Sequence, residues 1–252
     1  LKKILGIFNF KLIDKNHFKN IRLISHESFL SLEQVIEEIF KKKIRQLIQI
    51  GANDGNRFDT LNKYIKKNKT NSILIEPIKK NFDDLKENYK ECNFVKVENL
   101  AISINNEISF LYKVDEKFLN LYDNHIPGIT SFDRYHLIKH GVKRRHISKE
   151  KVTSSTIEQI INKYKLTYLD LLFIDTEGYD GKLVLDFLKN QLFTPIIIFE
   201  YIHIDNYEFD KVIKKLLSSQ YKFFSINENL ICLPKNEFLT IPFIIAYLCL
   251  LL

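Results

Sequence analysis

The sequence predicts an α/β fold built on a mostly parallel sheet with an antiparallel hairpin near its C-terminal end. Short apolar runs, of the kind buried on both sheet faces, alternate along the chain with longer amphipathic stretches. No internal repeat or low-complexity linker interrupts that alternation. A chain of 252 residues, 45% hydrophobic and 27% charged, suffices for one large core.

The first element is a helix over Ser31 to Lys42. Ser31 and Gln34 stand in capping-box spacing, and Leu32, Val35, Ile36, Ile39 and Phe40 fall on one helical stripe. Leu47 to Ile50 reads as a buried strand ending in Gly51-Ala52-Asn53-Asp54-Gly55, with a helix expected from Arg57 to Lys67. Ser72 to Ile75 is a second strand ending at Glu76-Pro77, followed by a helix carrying Phe82, Leu85 and Tyr89. Asn93 to Val97 supplies a third strand, and Ile108 to Val114 alternates like an added antiparallel one.

Residues 117–151 are the least regular part, with His125, His136 and the basic run Lys143-Arg144-Arg145-His146. Irregular insertions on an α/β scaffold carry substrate selectivity, and that is the role expected here. Ser155 and Glu158 repeat the capping-box spacing and predict a helix to Tyr164. Leu169 to Ile174 is a strand ending in Asp175-Thr176-Glu177-Gly178, and Leu183 to Lys189 is helical. Pro195 to Phe199 is a strand ending in Glu200-Tyr201-Ile202-His203. A helix from Tyr207 to Ser219 leads to the hairpin Tyr221–Ile226 and Leu230–Leu233, turned at Asn227 to Asn229. The organisation expected is an N-terminal helical extension (1–46), a catalytic domain (47–234) and an apolar tail (235–252).

Composition narrows the function classes. The formal charge of +7 would suit a nucleic-acid partner, but arginine, the residue for bidentate phosphate and base contacts, is scarce beside lysine. No nucleic-acid partner is expected. The basic run reads as a solvated segment rather than an anion site. Cys92, Cys232 and Cys249 are widely spaced and form no CxxC pair, which speaks against a disulfide scaffold or structural zinc and for a reducing cytoplasm. The apolar patches after Leu1 carry Lys and Asp and do not read as a signal peptide. The run Ile241 to Leu252 is shorter than the ~20 residues of a membrane helix, so docking on the body is expected rather than membrane contact.

Aligned parallel strands bring their C-terminal tips to one sheet edge, where ligands of open α/β sheets bind. Those tips concentrate glycines and carboxylates. Gly51 and Gly55 flank a turn that lets a ligand approach backbone amides. Glu76 closes the next strand about twenty residues on, where a carboxylate accepts both ribose hydroxyls of an adenosine ligand. The turn is GANDG rather than GxGxxG, which disfavours a pyrophosphate and suits a phosphate-free ligand such as S-adenosylmethionine.

Several motifs in order carry a resemblance: IGANDG at Ile50 to Gly55, IEP at Ile75 to Pro77 with NFDDL at Asn81 to Leu85, NLAIS at Asn99 to Ser103, LDLLFIDTEGYD at Leu169 to Asp180, and IIIFEY at Ile196 to Tyr201. Together they resemble the FkbM-type methyltransferases, a branch of the class I S-adenosylmethionine-dependent enzymes. The resemblance implies a Rossmann-like, seven-stranded, mostly parallel sheet with helices on both faces and the C-terminal hairpin. It implies that Gly51, Ala52, Asn53, Asp54 and Gly55 surround the methionine part of the cofactor, that Glu76 holds the ribose and that Asn99 and Ala101 lie on the adenine side. Asp175 and Glu177 would line the meeting point of cofactor and acceptor, and the acceptor would be a hydroxyl of a sugar, glycan or small natural product. One departure is Gln49, where many class I enzymes carry an acid; Asp54 or Asp175 would then supply the charge facing the cofactor amino group.

An alcohol is a poor nucleophile until its proton leaves, so a base within hydrogen-bond reach is expected. Asp175, Glu177 and His203 are the candidates, ahead of His125 and His136. The same three offer ligands to a divalent ion, but no spacing in the sequence demands a metal, and none is expected. A nucleotide-binding oxidoreductase and a catalytically decayed S-adenosylmethionine-binding relative are the alternatives.

Overall fold

The computed structural model describes residues 31–237 apart from 58, 106–108, 124–125, 127–128 and 191. The expectations for the chain before Ser31, for His125 and for the apolar run from Ile241 therefore lie outside the described residues. Among the described residues no helix is long and apolar enough to cross a membrane.

Seven strands form the main sheet: β1 (Gln46–Ile50), β2 (Asn71–Ile75), β3 (Val95–Glu98), β8 (Leu171–Ile174), β9 (Ile196–Glu200), β10 (Tyr221–Ile226) and β11 (Asn229–Pro234). Their spatial order is β3-β2-β1-β8-β9-β11-β10. Pairing is parallel from β3 through β9, and β11 runs antiparallel to both of its neighbours. The chain crosses from the β1–β3 half to the β8–β9 half beside β1, so the tips of β1 and β8 flank the switch point where such sheets bind ligands.

Period-two alternation sorts the sheet side chains into two cores. Ile48, Ile50, Leu172, Ile174, Ile197 and Phe199 face one way and pack on α5 (Ile157–Lys163), α6 (Asp180–Asn190) and α7 (Asn206–Ser218). Leu47, Leu74, Leu171, Phe173 and Ile198 face the other way, onto α1 (Leu32–Lys41), α2 (Asn62–Asn68) and α3 (Lys79–Asn88). Helices therefore cover both faces. Each fully buried Ile, Leu or Phe contributes about 1.5–3 kcal/mol against exposure, which makes these two layers the main favourable term.

The Ser31–Gln34 capping box forms as expected. The second box is shifted by one residue: Thr156 caps α5 and pairs with Gln159, while Ser155 belongs to β7 (Ser154–Ser155) and sends its hydroxyl to Gln159. Both Ser155-x-x-Glu158 and Thr156-x-x-Gln159 satisfy the spacing, and β7 pairing with β4 (Ala101–Ile102) decides between them by holding Ser155 extended.

The stretch 117–151 is more regular than its sequence. It holds a 3₁₀ turn (Glu116–Leu121), α4 (Arg134–Lys139), a second 3₁₀ turn (Arg144–His146) and most of β6 (Ile147–Val152). The added strand expected near Ile108–Val114 is β5 (Ser109–Val114); it pairs antiparallel with β6 in a separate two-stranded sheet. A small core of Val114, Ile126, Ile129, Leu137 and Val142 sits beneath it. In the basic run, His146 is buried, stacked on Phe118 at 4.0 Å between ring centroids and 2.7 Å from the Tyr122 hydroxyl, so it serves packing.

Candidate active site

The β1 tip turns sharply because Gly51 and Ala52 both donate their amides to the Ile75 carbonyl, at 2.9 and 3.0 Å. Gly51 has φ +83°, and a Cβ there would overlap the Asp175 carbonyl, so only glycine lets β1 and β8 tips lie this close. Asn53, also left-handed at φ 50°, donates its amide to Glu76 Oε2 at 3.0 Å. Gly55 (φ +65°) backs onto Leu85 and Tyr89. Asp54 is engaged within the turn, where its Oδ1 accepts from the Asn56 and Arg57 amides at 3.0 and 2.8 Å.

The following helix begins at Asn62 rather than Arg57. The intervening segment carries Asp59 inward, and its Oδ1 accepts from Gln49 Nε2 at 3.2 Å and from the Leu61 amide at 2.9 Å. Asp59 thus stands beside Gln49, supplying an acid where the sequence offered Asp54 or Asp175. Gln49 Oε1, Asp59 Oδ2 and the Tyr89 hydroxyl are buried without a hydrogen-bond partner, and Tyr89 lies beside Asp59.

Gln49, Asp59 and the Gly51–Asn53 turn line a cavity of about 240 Å³ together with Glu76, Pro77, Ala101, Ile102, Leu111, Asp175 and Glu177. Asn99 stands behind it: its side-chain amide donates to the Glu76 and Pro77 carbonyls, both at 3.0 Å, and ties the segment after β3 to the β2 tip. Glu76 is buried, and its second oxygen accepts from the Ile78 amide at 2.9 Å. Burial outweighs those bonds and pushes its carboxyl up to about 7.

The donor set fits S-adenosylmethionine. An ammonium donates three hydrogen bonds and accepts none, and Gln49, Asp59 and Asp175 line the cavity with side chains that can accept them. A buried carboxylate matches a ribose diol, and Pro77, Ala101, Ile102 and Leu111 offer an apolar slot for a purine.

Asp175 is reached by solvent through the cavity, yet enclosure by the chain raises its pKa well above the carboxylate range, with Glu177 and Asp180 adding like charge. Asp180 is buried and organises the loop, accepting from the Thr176 amide and hydroxyl and the Gly178 amide at 3.3, 2.9 and 3.1 Å. That network holds Glu177 in the left-handed region at φ 53°, a conformation that costs about 1–3 kcal/mol and collects at functional sites. Glu200, at the β9 tip, is also raised, by burial and then by Glu177 and Asp175, and its Oε2 is buried without a partner.

Glu177 also borders two neighbouring cavities of about 650 and 700 Å³. There it meets histidines. His136 Nε2 lies 3.0 Å from Glu177 Oε2, and His203 Nε2 lies 3.9 Å from the same oxygen and 3.6 Å from Glu200 Oε1. Burial, and then Lys139, lowers His136 to about 4, so it is neutral at neutral pH and meets Glu177 as a hydrogen-bond donor. His140 completes the group, its ring centroid 4.6 Å from that of His136 and 5.1 Å from that of His203.

The structure therefore gathers Gly51, Ala52, Asn53, Glu76, Ala101, Asp175 and Glu177 around one cavity, brings His203 to Glu177, and sets Asp54 and Asn99 in supporting positions. Asp59, His140 and Asp180 are the additions the sequence reading missed, and His136 moves from a minor candidate to the centre of the histidine group. The i, i+4 spacing of His136 and His140 was a signal available for the last group.

The family model for the methyltransferase FkbM domain matches residues 49–223. No curated protein matches the chain. Among solved structures, a methyltransferase FkbM from Methylobacillus flagellatus KT is 13% identical with a TM-score of 0.44; the match covers 75% of this chain and 43% of that one. The METTL16 methyltransferase domain is 10% identical at a TM-score of 0.43, covering 81% and 66%. TrmK of M. capricolum, in complex with S-adenosyl-homocysteine, is 13% identical at a TM-score of 0.41, covering 84% and 71%. The chain thus spans less than half the length of the Methylobacillus protein and about two thirds of the METTL16 domain.

Proposed function

Because the chain belongs to the methyltransferase FkbM domain family, we propose that it is an S-adenosylmethionine-dependent O-methyltransferase acting on a hydroxyl of a sugar, glycan or small natural product. The observation that carries the reading is one cavity lined by Gln49, Asp59, Glu76 and the glycine turn. That set matches an amino-acid ammonium joined to a ribose and has no counterpart in a pyrophosphate cradle. The same set, with membership of a methyltransferase family, argues against the oxidoreductase alternative.

When bound, S-adenosylmethionine supplies an electrophilic methyl on a sulfonium. Its amino-acid end would lie against the Gly51–Asn53 turn, Glu76 would accept from its ribose and the Ala101–Ile102 side would receive its adenine. Asp175 and Glu177 present their carboxyl groups where the sulfonium and the acceptor would meet. Much of the acceleration then comes from holding the acceptor oxygen in line with the methyl. Glu177, or His203 beside it, takes the hydroxyl proton as the oxygen attacks. The β5–β6 sheet and α4 border the neighbouring cavities with Lys113, Val114 and His136, which suits the role of acceptor selection. The acceptor is a small or glycan molecule rather than a nucleic acid, and the working compartment is the reducing cytoplasm.

The test is transfer of a labelled methyl group from S-adenosylmethionine to fractions containing glycans, lipid-linked sugars and small alcohols, with Glu76→Ala as control. Label in a base-stable ether, lost with the variant, is the expected result. Label on nitrogen or carbon instead, or full retention of transfer by the variant, refutes the assignment.

A further inference from the structure

Three separate stretches of chain bring metal-binding side chains to one point beside the cofactor cavity. α4 and its C-cap supply His136 and His140, one helical turn apart and so on one face. The loop after β8 supplies Glu177, and the loop after β9 supplies His203. Gly178 takes φ +99°, a conformation that side chains rarely adopt, and His203 and His136 pack beside it.

One ligand atom from each of the four residues lies within 4.8 Å of all the others. A tetrahedral ion with bonds of about 2.0–2.1 Å holds its ligand atoms about 3.3 Å apart. The distances from Glu177 Oε2 to His136 Nε2 and His203 Nε2, 3.0 and 3.9 Å, bracket that value. The widest pair would have to close by about 1.5 Å, which side-chain rotation can supply.

A second observation points to a cation. Glu200 Oε1 stands 3.6 Å from His203 Nε2 while its Oε2 is buried without a partner, beside the carboxylates of Glu177 and Asp175. Glu177 and Glu200 thus approach the same His203 nitrogen, and a cation beside it would offset the like charge they bring together.

We propose that His136, His140, His203 and Glu177 form a binding site for one divalent transition-metal ion, of the zinc, cobalt or nickel type, at the acceptor side of the cofactor cavity. Three imidazoles with one carboxylate favour these ions over magnesium and calcium, which prefer all-oxygen shells. The site borders the 700 Å³ cavity, so a further coordination position faces the space an acceptor would enter. A hydroxyl oxygen is the ligand suited to that position, and with the ion bound Asp175, rather than the ligating Glu177 or His203, is left as the carboxylate to take its proton. That last use rests on the methyltransferase reading; ion binding itself does not.

The experiment titrates cobalt(II) into the chelator-stripped full chain, following visible absorption and metal content, in parallel with calorimetric binding of S-adenosylhomocysteine. One cobalt per chain is expected, displaced by zinc but not by magnesium. His140→Ala and His203→Ala, taken from different segments, should each weaken cobalt at least about tenfold. Their unfolding midpoints without metal serve as the folding control. His140→Ala should keep wild-type S-adenosylhomocysteine affinity. No cobalt spectrum in the wild type, equal cobalt affinity in both folded variants, or displacement by magnesium each overturns the site. Cobalt binding without S-adenosylhomocysteine binding leaves the site standing and removes the methyltransferase reading instead.

Discussion

Glu76 shows how one residue ties sequence to chemistry. Its carboxylate joins the β1 turn to the β2 tip through the Asn53 and Ile78 amides, and burial raises it to about 7. The ionised form is the acceptor for ribose hydroxyls, so S-adenosylhomocysteine affinity should rise about tenfold between about pH 6 and about pH 8. Glu76→Gln, which does not titrate, should bind more weakly and flatten the profile; calorimetry across that range checks both, and an unchanged slope in the variant defeats the ribose role. For folding the sign is opposite. A carboxyl whose pKa is raised on folding contributes stability that is complete below its unfolded value near 4.5 and is lost as pH climbs through about 7. Glu76 was legible because it ends an apolar run at a set distance from the glycine turn. Asp59 was not, since only the inward path of the chain after Gly55 brings it to Gln49.

At the scale of elements, boundaries follow whichever hydrogen bond wins locally. Thr156 rather than Ser155 caps α5, so Thr156→Ala should destabilise the protein by about 1 kcal/mol and Ser155→Ala by clearly less. Denaturant melts of the two variants decide it, and the reverse ranking would place the cap back at Ser155. The apolar runs of β1, β2, β8 and β9 could be read directly because strands buried on both faces have no polar alternation to misread. β5 was visible as a strand, but its partner β6 was hidden: Ile147-Ser-Lys-Glu-Lys-Val152 is half exposed and polar, and long-range pairing alone makes it a strand. The histidine group shares this opacity. His136, Glu177 and His203 are distant in sequence and meet only because α4 folds over the strand tips.

The whole molecule binds at a seam. Residues lining the cofactor cavity come from β1, β2, β8 and the segment after β3, so a ligand there ties together parts of the chain that separate on unfolding. S-adenosylhomocysteine at about a hundred times its Kd should therefore raise the unfolding free energy by about 2.7 kcal/mol. Thermal melts with and without ligand measure it; an unmoved midpoint at saturating ligand would show that the cavity is not the binding site. The layer order was open to sequence reading, since alternation of short and long apolar periods prescribes it. The strand order at the far edge came from the antiparallel pairings of β11.

That reversed strand carries an obligation during synthesis. β11 slots between β9 and β10, so until residues 229–234 emerge, Ile196-Ile-Ile-Phe-Glu200 has its far side open: a nearly all-apolar ribbon with bare backbone donors and acceptors, the template on which nascent chains stick to one another. The two residues between β10 and β11, Asn227 and Glu228, let the hairpin fold back at once and shield that ribbon as soon as it is made.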